Sequence, residues 1–317
     1  MNKNIYIWLS LFCLAILVAI HVFLAVPQAP LRKAIDFEVK GIKIPPSPYG
    51  EILIFLLLVY GALFLVGLGN IIVFAIRKMR KKPLMDFLSA PRAFPLSGEQ
   101  VSQLFFLIAF FIFTLTIGEL HIIASGSRTN PLAFSLFMNL FLQLGVIMLI
   151  LKFFSARFLD FTTKKSHFYP LFQLYTVTLP FTLGALILNR FILEAVGISP
   201  TLSPAMELIF LLQDKRMLVV LFLEIVFIGP LAEEIFFRGF IYTLARKRFS
   251  FVIASLLVSL LFAFLHRAPL NILPLFVISL SLCYLYEKTQ SILAPIIFHS
   301  FFNFFNLSFV LLTKGLI

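Results

Sequence analysis

The ten residues Gly229–Arg238, Gly-Pro-Leu-Ala-Glu-Glu-Ile-Phe-Phe-Arg, lie inside an apolar run from Met217 to Leu244 that is long enough to cross a membrane. Ionisable groups at that depth cost a few kcal/mol each on insertion scales, so they are rare and face protein interior or water. Glu234 and Arg238 are four apart with the acid N-terminal, the favourable order for a pair on one helix face. Their pairing accounts for two of the three charges. Glu233 lies about 100° further round the helix and has no partner within the segment. The preceding Gly229-Pro230 interrupts the hydrogen-bond ladder and is expected to kink the helix.

Working outward, the whole chain has the composition of a membrane protein. Of its 317 residues, 61% are hydrophobic and only 13% charged, with a mean hydropathy of +1.04, against about 45–50% and 25% in soluble domains. The apolar runs are continuous rather than alternating, which excludes an outer-membrane barrel. The expected fold is an all-α, polytopic bundle of eight or nine transmembrane spans. The spans read as Ile5–Val26, Ile52–Ile76, Leu104–Ala124, Leu132–Leu151, Pro170–Val196, Met217–Leu244, Phe251–Leu265, Ile272–Tyr286 and Ile292–Leu312. The first is too long for a signal-peptide core and lacks a clear cleavage site, so it reads as a retained helix.

The formal charge of +12 does not indicate nucleic acid, because no nucleic-acid motif accompanies it. Its Lys and Arg residues sit in the connections, where they set orientation and meet anionic headgroups. The densest groups, Arg77–Lys82, the 152–169 connection and Arg246–Arg248, fall on one side in alternation. That favours a cytoplasmic N-terminus in a cell (inner) membrane and, with nine spans, an external C-terminus. Cys13 and Cys283, each within an apolar run, support neither a disulfide framework nor a Cys-based zinc site.

Two further polar clusters follow the glutamates. The seventh span ends in Phe262-Ala-Phe-Leu-His266, and the ninth carries His299-Ser-Phe-Phe-Asn303 followed by Asn306. In each, the end residues share a helix face. Polar groups in hydrocarbon cost several kcal/mol when unsatisfied, so His299 and Asn303 should meet protein groups or water. Glu119 and His121 near the end of the third span, and His21 near the end of the first, read as interfacial. Glu224 projects away from Glu233 and reads as a helix–helix contact. Counting about 1.5 Å per residue, Glu233 lies roughly 20 Å from Arg246 and His299 roughly 17 Å from Lys288. His266 comes out deeper, roughly 27 Å from Arg248, unless its helix begins only after Phe249.

The three motifs in this order, Glu-Glu-x-x-x-Arg (Glu233, Glu234, Arg238), Phe-x-x-x-His (Phe262, His266) and His-x-x-x-Asn (His299, Asn303), resemble the CPBP family. These are the CAAX-processing and bacteriocin-processing intramembrane endopeptidases, also called Abi proteins. The resemblance covers about residues 217–312 and divides the chain into an N-terminal transmembrane region, 1–200, without recognised motif, and a CPBP-like catalytic core, 201–317. It implies that Glu233 and His266 activate a water, that His299 and Asn303 stabilise the oxyanion, and that Glu234 with Arg238 is a structural ion pair. The partners implied are the lipid bilayer and a membrane-associated or lipidated peptide or protein substrate. Metal dependence stays open. Glu233, His266 and His299 would also make a two-His, one-carboxylate Zn2+ site with a position left for water, yet the His-Glu-x-x-His helix of common zinc proteases is missing. The competing reading is a transporter or scaffold that uses the buried Glu, Arg and His as an ion or proton relay. A relay has no use for the non-titrating amide of Asn303, whereas an oxyanion hole has.

Overall fold

A computed structural model describes residues 49–82, 136, 140–141, 143–145, 147–148, 167–198, 209–210, 212, 214–266 and 268–314. The first and third expected spans, most of the fourth, and Cys13, His21, Glu119 and His121 lie outside these residues. Among the described residues all regular structure is helical. Four helices are long and apolar enough to cross a membrane, Glu51–Met79, Phe168–Ala195, Pro269–Thr289 and Leu293–Leu312. The chain divides into two compact units. The first, residues 1–45 and 95–153 with residue 316, is described only at scattered helical positions between 136 and 148. The second, residues 46–94 and 154–315 with residue 317, holds everything that follows.

Helix α1 is Tyr49–Met79, reaching three residues beyond its apolar run at each end, and α2 is Phe168–Ala195, starting two residues before its run and ending one short of it. The sixth expected span is helical from Lys215 to Arg246, but in five pieces. These are α3 (Lys215–Leu223), a π-helical segment (Glu224–Ile228), α4 (Gly229–Glu234), a second π-helical segment (Ile235–Tyr242) and α5 (Thr243–Arg246). The interruption expected at Gly229-Pro230 is therefore a local widening of the helix rather than a break. A π turn inserts one extra residue and rotates all that follows, a device that recurs at functional sites.

Helix α6 (Phe251–Leu265) opens on a Ser250 N-cap whose side chain accepts from the Ile253 amide, and ends at His266. A 3-10 turn, Pro269–Asn271, leads into α7 (Ile272–Thr289), and α8 is Leu293–Lys314. The core joins Leu174, Tyr175 and Leu179 of α2, Ile278, Leu282 and Leu285 of α7, and Ala294, Phe298 and Phe302 of α8. Tyr60, Leu63, Phe64 and Phe74 of α1 close over it. Because lipid tails are as apolar as these side chains, close approach and polar bonds must hold the helices together. At Gly67 a Cβ would collide with the Thr176 carbonyl oxygen, so only glycine admits this contact. One turn on, Asn70 Nδ2 donates to Thr176 Oγ1 at 2.9 Å, and Thr178 and Ser281 hydroxyls meet at 2.9 Å between α2 and α7.

Length places the end of α6. Its 15 residues rise about 22 Å, less than the hydrocarbon thickness of about 30 Å. Starting just after Arg246–Arg248, α6 is too short for a full crossing, and His266 caps its C-terminal end. The late start after Phe249 removes the excess depth that counting from Arg248 gives His266.

Candidate active site

The centre of the site is a buried carboxylate with two donors on one oxygen. Glu234 Oε1 accepts from Arg238 Nη1 at 2.9 Å and from His299 Nδ1 at 2.8 Å. Both Glu234 and Arg238 side chains are fully buried. The guanidinium continues to α7, where Nη2 donates to Ser279 Oγ at 2.8 Å. Its face lies over Phe262, 4.8 Å from the ring centroid, an arrangement worth about 2 kcal/mol or more when desolvated. Arg238 thus ties the second π segment to α6 and α7, and Glu234 ties α4 to α8. Ser279 is a partner the sequence reading did not assign. Its only signal was a hydroxyl in a mostly apolar run, one it shares with Ser281.

Glu233 sits one residue earlier and faces a different way. Its side chain is 31% exposed, and Oε2 lies 3.6 Å from His266 Nε2 and 3.9 Å from His299 Nε2. Both distances exceed a direct hydrogen bond and suit groups that meet through a small third species. The two imidazoles are pinned at their other nitrogens. His266 Nδ1 is 2.7 Å from the Phe262 carbonyl, which can only accept, so Nδ1 carries a proton. His299 Nδ1–H is likewise directed at the Glu234 carboxylate. In their neutral forms both rings therefore turn an Nε2 lone pair toward Glu233. Phe262 organises the set from the centre: it is fully buried, 4.3 Å from the His266 ring and 5.9 Å from the His299 ring, centroid to centroid.

Asn303, one turn beyond His299 on α8, donates from Nδ2 to the Ile225 carbonyl at 2.9 Å. The structure thus brings Glu233, Glu234, Arg238, His266 and His299 into one network and holds Asn303 against the first π segment. Glu224, expected at a helix–helix contact, is buried at the start of that segment. Cys283 is buried on α7, its sulfur 3.9 Å from Ser259 Oγ. Among the described residues no group of three or more His, Cys, Asp or Glu side chains has the arrangement of a metal site. Glu233, His266 and His299 are the residues that would hold a metal if one were bound, with Glu233 Oε2 3.6 and 3.9 Å from the two Nε2 atoms, and no step is routed through a metal below.

A carboxylate, two oriented imidazoles and a buried ion pair thus meet among apolar helices. Residues 215–305 match the family model Type II CAAX prenyl endopeptidase Rce1-like. The likeness to CAAX-processing proteases carried by the three motifs therefore holds over that stretch, and it makes the segment protease-like. No curated protein and no solved structure matches the chain.

Proposed function

We propose that this protein is an intramembrane endopeptidase of the CAAX-processing type, multi-pass with eight or nine spans, its N-terminus cytoplasmic and its catalytic core within residues 201–317. The substrate class is a membrane-associated or lipidated peptide or protein. The observation that carries the reading is Glu233: its side chain is partly exposed, yet Oε2 is buried without a direct hydrogen bond and faced by two oriented imidazoles, beside a neighbour that is wholly buried and paired.

In this reading a water lies between Glu233 Oε2 and His266 Nε2, giving one hydrogen to each. As its oxygen bonds to the scissile carbonyl carbon, Glu233 takes the proton and the carbonyl pair moves onto oxygen. Collapse of the tetrahedral intermediate breaks the C–N bond, and the proton held by Glu233 passes to the departing amine. One water is consumed, leaving an acid and an amine. The oxyanion is met by His299 Nε2 in its protonated form and by the second N–H of Asn303 Nδ2, since a carboxamide carries two donors and Ile225 takes one.

The test is purified protein incubated with a peptide ending in a prenylated cysteine followed by three residues, alongside a library without the lipid, with cleavage read by mass spectrometry. Cleavage at one bond, lost in Glu233→Gln, is the expected result. A parallel chelator arm reads metal dependence, and a relay protein would leave every peptide intact.

A further inference from the structure

The Asn303 bond has an origin in the backbone. In an α-helix the Ile225 carbonyl would accept from the amide of Gly229, and in a π-helix from the amide of residue 230. Here the Gly229 N–H donates instead to Glu224 O, the π pattern. Residue 230 is proline and has no N–H to give. Neither register can supply Ile225 O with a main-chain donor, and Asn303 Nδ2 occupies it at 2.9 Å.

We infer that Pro230 is a positioning residue: by withholding a main-chain N–H it reserves the Ile225 carbonyl for Asn303, and that bond fixes which way the side-chain amide faces. A carboxamide is nearly symmetric in shape, and turning it over exchanges N–H for C=O. Because a carbonyl can only accept, Ile225 O admits just one of the two orientations. The second N–H is then directed by the same bond. A turned-over amide would present oxygen to a developing oxyanion and repel it. Proline here does more than bend the helix, and it lies outside the three motifs that carry the resemblance.

This inference rests on the peptidase reading for its kinetic consequence but not for the bond itself, so the experiment has two arms. The first measures thermal unfolding of the full-length protein in nanodiscs for wild type, Pro230→Ala, Asn303→Ala and the double variant. Alanine in place of Pro230 restores an N–H, and the helix can then serve Ile225 O in either register. Asn303→Ala should lower Tm by about 2–4 °C in the wild-type background, as expected for one orphaned carbonyl, and by less than half of that in the Pro230→Ala background. Equal losses in both backgrounds would overturn the inference, whether or not the protein cleaves anything.

The second arm follows turnover of the prenylated peptide. Pro230→Ala should lower kcat about tenfold, a fraction of the loss expected for deleting an oxyanion donor, with KM unchanged and Tm undiminished. A purely structural proline would instead lower Tm and leave kcat per folded molecule intact. Should Pro230→Ala not fold, 15N-asparagine labelling of the wild type replaces it. The Asn303 side-chain pair, assigned by its loss in Asn303→Asp, should show one proton protected from exchange; two freely exchanging protons would refute the bond.

Discussion

Glu233 and Glu234 are adjacent in sequence and opposite in circumstance, and the difference is what a substitution should expose. Glu233→Gln keeps the shape but removes the base, so cleavage should vanish while the melting temperature stays near that of wild type. Retained turnover would move the base elsewhere. Glu234→Gln strips the carboxylate from a guanidinium and an imidazole buried with it. Breaking a buried pair at one partner costs about 3–5 kcal/mol, so this variant should express poorly or melt early, with activity lost in proportion to folded protein. Asn303→Ala should lose on the order of 10²-fold in kcat with KM nearly constant if its free N–H meets the oxyanion only in the transition state. Unchanged kcat in a folded Asn303→Ala protein would exclude that role.

At the scale of elements, the turn after His266 sets a problem that a helix from the motif-free region solves. Because the 15 residues of α6 are too few for a full crossing, the carbonyls of the following turn are expected to lie where irregular backbone must be satisfied by protein. Asn189, buried on α2, donates to Pro269 O at 2.7 Å and to Leu270 O at 2.9 Å. Asn189→Ala orphans both and should destabilise the turn, lowering kcat through His266 while leaving the Glu234–Arg238 pair intact. Hydrogen exchange is the measurement: faster exchange confined to residues 266–272 is expected, and global loosening would contradict it. Nothing in the sequence marks Asn189 out, because its partners are backbone oxygens about 80 positions away and carry no residue signature. The Glu234–Arg238 pair was legible, being set by spacing on one helix. So were the apolar limits of α6, α7 and α8, since hydropathy fixes length. The contact of His299 with Glu234, the first π segment that rotates the glutamates into place and the second that begins right after them depend on tertiary packing and on one inserted residue apiece, which leave no period to read.

The whole molecule must be threaded through the bilayer in one sense, and an ion pair bears on which. Arg246 Nη2 lies 2.8 Å from Glu287 Oε1, and Tyr242 OH donates to Glu287 Oε2 at 2.8 Å. The C-terminal end of α5 and that of α7 are therefore at the same level on the same side, as alternate crossings require. Both ends are basic, with Arg246, Lys247 and Arg248 at one and Lys288 at the other, and the bias of Lys and Arg toward the cytoplasmic side predicts that face for both. The last helix, α8, starts from that face and carries His299 and Asn303 inward before it ends at Lys314. At 22 residues it rises about 33 Å, enough to complete the crossing. The C-terminus should then be external. In a bacterial host, alkaline phosphatase fused after Ile317 should be active and a fluorescent protein fused there should stay dark. The same reporters after Arg248 should give the opposite pair of signals. A fluorescent C-terminal fusion would mean that α8 turns back within the membrane, and His299 would then approach Glu234 from a helix that never reaches the far surface.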